Sequence, residues 1–188
     1  MKIKYTLLLV FCAFLIQSCK KDGVTASTTT TAPISAFQAY LDGTLWAPSD
    51  TLSAVVTYNP TTKTRVLTCS ATHAQKQVTM AITNTNSAAG NNFPIGTYTS
   101  NATFNYSTLQ KNQSGAYVYT PFGTTKDGSQ QIIIASIDTV KKTLTGTFNF
   151  ISTNTVYDSS GNFVSISIAQ IATGQLTNLP YTYKTVSN

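Results

Sequence analysis

Apolar and polar residues alternate along most of the chain after residue 33. Alternation at period two is typical of β-strands that bury one face, and no later stretch keeps helical spacing long enough for a helix. The pattern therefore predicts an all-β domain of about ten short strands. The candidate strands cover residues 34–41, 44–47, 52–58, 65–72, 77–83, 96–99, 103–106, 116–120, 130–137, 143–151, 162–171 and 176–183.

Turn signals separate these runs. Asp42-Gly43 lies between two apolar runs and predicts a tight hairpin, and residues 73–76 predict another turn. Residues 84–94 and 152–161 are polar and predict longer loops. The run 130–137 carries isoleucines on both faces, which predicts a central strand that is buried on two sides.

Many short strands joined by turns predict an antiparallel β-sandwich, with a closed lipocalin-like β-barrel as the alternative. Composition agrees, because the chain has no Glu and is rich in Thr, Tyr and Ile, which favour strands. Residues 34–188 have the size of one domain. The order of the strands is not given by the pattern.

The first nineteen residues predict export and lipid attachment. Lys2 and Lys4 precede an apolar run over residues 6–16, which is too short to span a bilayer and suits a signal peptide. Ile16-Gln17-Ser18-Cys19 resembles the lipobox of bacterial lipoproteins. We expect cleavage after Ser18 and acylation of Cys19, which would anchor the chain in a lipid bilayer. The alternative is an ordinary secretory signal, with Cys19 incidental.

Residues 20–33 are polar and rich in Thr, Ser, Ala and Gly, so they bury almost nothing. They predict a flexible tether between the lipid and the domain, although a short edge strand is the alternative. The expected organisation is thus a signal peptide over residues 1–18, a lipidated Cys and tether over 19–33, and one β-domain over 34–188.

Charge argues against a nucleic-acid partner. The chain has a formal net charge of +6, but part of this lies in the predicted signal peptide. From residue 34 onward, eight basic and five acidic residues are scattered along the chain. Nucleic-acid binders usually cluster their basic residues on one face.

The inventory of catalytic side chains is poor. Cys69 lies on the predicted strand 65–72, and His73, the single histidine, begins the predicted turn after it. Four residues of extended chain span about 13 Å, which is too far for a nucleophilic pair. No paired carboxylates, phosphate-binding loop or metal-ligand cluster is present. Asp127-Gly128 and residues 158–161 could offer oxygens to calcium, but such strings normally form turns. We therefore expect no enzyme, no cofactor and no metal.

An aromatic cluster is the main candidate for a binding surface. Phe104 and Tyr106 share one face of a predicted strand, and Tyr117 and Tyr119 share a face of another. Exposed rings could stack on sugars, whereas the alternative is that they fill the core or pair across strands. The candidate ligand-stacking residues are Tyr98, Tyr106, Tyr117 and Tyr119.

Residues 37–46, FQAYLDGTLW, resemble the "F-x-A-x-x-D-G-x-x-W" opening of small Bacteroidota lipoproteins with a β-domain of unknown function. Gly96-Thr97-Tyr98 and Gly146-Thr147-Phe148 resemble later motifs of the same family. The resemblance implies an envelope lipoprotein with a β-sandwich-like domain and transfers no catalytic residues. It also implies O-glycosylation acceptors at Thr51 and Thr139, which follow Asp50 and Asp138 and precede an aliphatic residue.

Together these features predict a non-catalytic binding or adhesion module for a glycan or a partner protein. The expected location is the outer membrane, with the domain lipid-anchored on its periplasmic or surface face. The alternative is a structural accessory subunit of an envelope complex, and a hydrolase is least expected.

Overall fold

The structure is a computed structural model that describes residues 35–85 and 87–186. Those residues form thirteen strands and no helix, so no helix among them could cross a membrane. The signal peptide, Cys19 and the tether lie outside the described residues. The strands are β1 (Phe37–Leu41), β2 (Thr44–Trp46), β3 (Thr51–Asn59), β4 (Thr64–His73), β5 (Lys76–Asn84), β6 (Gly96–Tyr98), β7 (Ala102–Lys111), β8 (Tyr117–Pro121), β9 (Thr124–Thr125), β10 (Gln131–Asp138), β11 (Thr143–Tyr157), β12 (Phe163–Pro180) and β13 (Thr182–Thr185).

The strands form two sheets that pack as a β-sandwich, which confirms the predicted fold class. The first sheet has the order β2-β1-β12-β11-β10-β6, with the short β9 also paired to β11. The second has the order β13-β3-β4-β5-β7-β8. All pairs are antiparallel except β13 with β3. The barrel alternative is wrong, because the sheets do not close on each other.

The core lies between the two sheets. It is built from apolar residues at alternate positions of the strands, as the alternation in the sequence predicted. Val78, Met80 and Ile82 of β5 are all buried, and the residues between them are half-buried. In the first sheet Leu144 and Phe148 of β11 face the same interior. Burial of each large apolar side chain stabilises the fold by about 1.5–3 kcal/mol.

The Asp42-Gly43 hairpin is confirmed. Asp42 has φ of 50° and Gly43 has φ of 79°, as a type I′ turn requires, and Leu41 pairs with Thr44. Asp42 also reaches outside its hairpin, because its Oδ1 accepts a hydrogen bond of 2.7 Å from the backbone N–H of Gln170. The turn between β4 and β5 is also confirmed, with positive φ at Ala74 and Gln75.

Two predictions about individual strands are wrong. The strand over 130–137 is not buried on both sides, because β10 lies next to the three-residue β6 near the rim of its sheet and only one sheet packs on it. Ile132 and Ile134 are buried, whereas Ile133 is half-buried. The predicted loop over 152–161 is mostly strand. β11 continues to Tyr157 and β12 begins at Phe163, because Thr, Val and Tyr favour extended backbone.

Candidate functional site

Two of the four candidate stacking tyrosines belong to the core. Tyr98 and Tyr106 are each 7% exposed, and the Tyr98 hydroxyl donates a hydrogen bond of 2.7 Å to the Pro94 carbonyl. Burial raises the pKa of both phenols. A ligand-stacking role for Tyr98 and Tyr106 is therefore wrong. The physical reason is that Ala102, Phe104 and Tyr106 share the face of β7 that the other sheet covers.

The other two tyrosines lie on β8, at the rim of the second sheet. Tyr117 is 70% exposed, and Tyr119 is half-buried opposite Leu109 of β7. Both rings can be reached from solvent, so ligand stacking at these two positions stays a prediction. The sequence pattern could not separate them from Tyr98 and Tyr106, because all four occur in strands of similar composition.

Cys69 and His73 have different surroundings in the fold. Cys69 is buried in the core, and burial raises the pKa of its thiol to about 12. A thiol held in that state is a poor nucleophile. His73 instead has its Nδ1 at 2.7 Å from Oδ2 of Asp50, and both side chains are substantially exposed.

Sequence reasoning missed this His73–Asp50 pair, because the two residues are 23 positions apart and meet only when the start of β3 pairs with the end of β4. Ser49 donates a 3.4 Å hydrogen bond to Oδ1 of Asp50. The hydroxyl therefore contacts the carboxylate and not the imidazole, which is not the order of a nucleophile–His–Asp triad.

Of the two turns considered for calcium, the one over residues 158–161 uses its carboxylate for hydrogen bonds within the turn. The Asn162 side chain donates a hydrogen bond to Oδ2 of Asp158, and the backbone N–H groups of Asn162 and Ser160 donate to Oδ1. These bonds, the one from the Asn162 side chain above all, lower the pKa of Asp158. In the part of the chain that the structure describes, no three His, Cys, Asp or Glu residues are grouped closely enough to hold a metal ion.

Both predicted glycosylation acceptors are at strand ends. Thr51 begins β3 and is exposed. Thr139 is half-buried in the turn after β10, where Oδ1 of Asp138 accepts hydrogen bonds from the N–H groups of Val140 and Lys141. Modification of these residues stays a prediction.

A cleft with both polar and apolar lining lies at the open edge of β7, and we call it the edge cleft. β8 pairs with β7 only from Ser107 onward. The edge of β7 over residues 102–105 therefore faces the segment that follows β8 and crosses to the first sheet. Thr125 connects this crossing segment to β7, because its hydroxyl donates a 2.7 Å hydrogen bond to the Phe104 carbonyl. The crossing segment needs Gly123, since a Cβ there would lie 2.1 Å from the carbonyl oxygen of Thr153.

The edge cleft consists of two hollows of about 380 Å³ each, which share Gln130. This is the size range of small-molecule sites. The Gln130 side-chain oxygen is buried and has no hydrogen-bond partner among the described residues. A buried acceptor without a partner costs about 1–3 kcal/mol, so a donor from a bound ligand would be favourable there. The polar groups of the lining come from Thr99, Ser100, Thr103, Asn105, Thr124, Thr125, Asp127 and Gln130.

A second unusual surface is the projecting end of the β11–β12 hairpin, residues 154–157 and 163–168, which we call the β-ribbon. Among the described strands, β9 accompanies β11 only to Thr153, and β1 accompanies β12 only as far as Ile171. Large apolar side chains of the β-ribbon are 44–60% exposed, which is unusual for one small surface. They are Val156, Tyr157, Phe163, Val164, Ile166 and Ile168.

The family model for the domain of unknown function DUF6252 matches residues 34–171, which is well over half of the chain. The chain belongs to the DUF6252 family. No curated protein and no solved structure matches it. The match includes the strands from β1 into β12 and therefore contains both the edge cleft and the β-ribbon.

In this DUF6252 domain, the opening motif over residues 37–46 has a structural role. Phe37, Ala39 and Trp46 are buried, and the rings of Phe37 and Trp46 meet edge to face with centroids 6.0 Å apart. Asp42 and Gly43 make the turn between β1, which carries Phe37, and β2, which carries Trp46. The motif thus specifies a hairpin and its core contacts, and the edge cleft and the β-ribbon lie elsewhere in the domain.

Proposed function

We propose that this protein is a non-catalytic binding module of the bacterial envelope that holds a polyhydroxylated ligand, such as a glycan, in the edge cleft. The observation that carries the proposal is Gln130, which lines both hollows and whose side-chain oxygen has no hydrogen-bond partner among the described residues. A ligand hydroxyl is a donor that this oxygen could accept from.

The chemistry of the lining supports a neutral, hydroxyl-rich ligand. Hydroxyl and amide groups such as those of Thr103 and Asn105 can both donate and accept, as sugar hydroxyls do. Asp127 adds the one ionisable side chain of the lining, and its carboxylate can accept from two neighbouring hydroxyls. Within residues 35–85 and 87–186, no Lys or Arg lines either hollow, which disfavours a phosphorylated or acidic ligand.

Binding in the cleft should depend on Gln130. We expect the protein to retain oligosaccharides on a glycan array, and Gln130→Leu, which keeps the size but removes the acceptor, to weaken binding of the best array ligand about tenfold. Isothermal titration with that ligand measures the change. The matched control is Gln113→Leu, an exposed Gln outside the cleft lining, which should bind as the parent does. Equal losses in both variants, or no glycan retained above background, would contradict the cleft assignment.

Sequence features support the envelope location. The signal-like segment, the lipobox-like residues 16–19 and the resemblance to Bacteroidota lipoproteins all favour an outer-membrane anchor through acylated Cys19. The lipid would place the domain on the periplasmic or the surface face of that membrane.

Lipid attachment predicts a defined mass for the native protein. Intact-mass analysis of protein isolated from its own membranes should give a chain that begins at Cys19 and carries acyl chains. Peptide mass spectra from a digest of the same protein should show added sugar on peptides with Thr51 or Thr139. A Cys19→Ala variant should leave the membrane fraction, because its anchor is missing. An unmodified thiol at residue 19 would overturn the envelope assignment.

A second candidate function is that of a structural subunit in an envelope assembly. The specific observation in its favour is the β-ribbon, whose exposed apolar side chains are typical of a surface that another protein covers.

A further inference from the structure

We propose that the β-ribbon pairs with the β-ribbon of a second copy of this chain, joining two domains through one continuous four-stranded sheet. The proposal goes beyond ligand binding and does not depend on the edge cleft. It follows from which backbone groups of β12 are left without a neighbouring strand and from the side chains that accompany them.

The outer edge of β12 is free beyond Gln170. The N–H of Asp42 donates a 2.9 Å hydrogen bond to the Gln170 carbonyl, and the N–H of Gln170 donates to the Asp42 carboxylate. Asp42 therefore marks the last contact on this edge. From Ile168 to Phe163, no strand in the described part of the chain pairs with it.

The alternation of an antiparallel ladder fixes which groups point outward. Both backbone groups of Gln170 face the outer edge, and successive residues point to opposite edges. The N–H and C=O groups of Val164, Ile166 and Ile168 therefore face the free edge. The groups of Ser165 and Ser167 face β11, opposite Val156 and Asn154. The free edge thus offers donors and acceptors at every second residue.

This edge is complementary to itself. A two-fold axis at Ile166 sets Ile166 against its own copy and Val164 against Ile168, and each of these pairs can exchange two backbone hydrogen bonds, about six in all. The same axis sets Ser165 opposite Ser167. Both copies then place their three β-branched side chains on the same face of the joined sheet, where such cross-strand pairs are favourable.

The opposite edge of the β-ribbon is poorly suited to pairing. β9 covers β11 as far as Thr153, and a register irregularity lies between Val156 and Tyr157. Irregularities of this kind reduce the ability of an edge strand to pair with another strand. Each copy therefore offers one long edge, and pairing along it closes into a two-fold dimer instead of continuing as a filament.

A second copy fits this edge better than a membrane or an unrelated strand. A bilayer interior cannot satisfy the free N–H and C=O groups, so insertion of the β-ribbon would leave them without partners. An unrelated strand could satisfy them, but only self-pairing supplies a matched apolar side chain at each outward position. No charged residue occurs from residue 159 to residue 183, so pairing two copies along this edge places no like charges opposite each other.

Cysteine crosslinking tests the proposed register. In an Ile166→Cys variant the two cysteines would lie opposite each other, with Cα atoms about 5.5 Å apart, within the range that a disulfide bridges. We expect mild oxidation of the membrane-extracted full chain to give a covalent dimer. Val164→Cys is the matched control, because its two copies would lie about 13 Å apart along the strands. The parent chain controls for Cys19 and for the buried Cys69.

A backbone substitution tests the pairing itself. Ile166→Pro removes the N–H that faces the free edge and leaves the hydrogen bonds to β11 in place, so we expect association to weaken at least tenfold by sedimentation in detergent. Ile166→Thr keeps the N–H and the β-branch and should remain dimeric. Equal crosslinking at residues 164 and 166, a monomeric parent, or crosslinks only to a different envelope protein would overturn the proposal. Glycan binding by a monomeric parent would retain the proposed function and reject this dimer.

Discussion

Replacing Phe37 with Ala should lower the free energy of unfolding by roughly 3–5 kcal/mol, the largest loss that we expect from any single truncation in this domain. The Phe37 side chain is fully buried where β1 joins β12. Its ring contacts Trp46 and also Phe148 of β11, at centroid distances of 6.0 and 5.1 Å. Truncation would therefore open a cavity among three strands and remove two aromatic contacts. Urea unfolding followed by Trp46 fluorescence measures the loss.

The matched control for Phe37→Ala is Tyr40→Ala, which also removes an aromatic ring from β1. Tyr40 points to the other face of the strand and is exposed, so we expect its unfolding free energy to change by about 0.5 kcal/mol or less. The slope of the free energy against urea should be the same for both variants and the parent, because the surface exposed on unfolding is the same. A similar loss in the two variants would show that Phe37 is not the centre of the core contacts described above.

Gly146→Ala should destabilise the domain by about 3 kcal/mol, because it adds a methyl group where there is no room for one. Gly146 lies in β11 between β10 and β12, and a Cβ there would lie 2.2 Å from the backbone carbonyl oxygen of Ile133. A flexible side chain could move aside from such a contact, but the backbone of a paired strand cannot move without loosening the ladder. We therefore expect β10 to separate partly from β11, with faster amide exchange in residues 131–138.

Thr147→Ala is the neighbouring control for Gly146→Ala. Thr147 is exposed on the outer face of β11, so its truncation should change stability by about 0.5 kcal/mol or less. Unchanged stability of the Gly146→Ala protein would mean that β10 and β11 can separate at this point without cost, in conflict with the pairing of Ile134 with Gly146 and of Ile133 with Thr147.

Sequence alone predicted much of the hairpin structure. Asp42-Gly43 between apolar runs predicted the first hairpin, and alternation over residues 65–83 predicted the second, because turn chemistry and side-chain alternation depend on a few adjacent residues. The same local information was misleading at residues 152–161. Their Ser, Thr and Asn residues suggested a loop, but the segment stays extended because β11 and β12 continue to pair beyond the sandwich.

The candidate site could be predicted only in part. Phe104, which lines the cleft, was part of the predicted aromatic cluster, but Gln130 and Thr125 were not recognised, since nothing local links them to β7. They meet because the crossing segment docks on the one stretch of β7 that β8 leaves uncovered. The pair of His73 and Asp50 escaped prediction for the same reason, as it forms only through the register of β3 with β4.

The sequence by itself determined that the described domain is all-β, where most of its strands lie, and which residues share a face of each strand. Tertiary structure alone decided which of those faces are covered. Leu144 and Phe148 on β11 and Ile166 and Ile168 on β12 follow the same period-two pattern, yet the first pair is buried and the second is more than half exposed. Alternation is a local property of the backbone, whereas burial depends on whether distant strands reach the same place. Neither the second sheet nor β1 extends far enough to cover the β-ribbon.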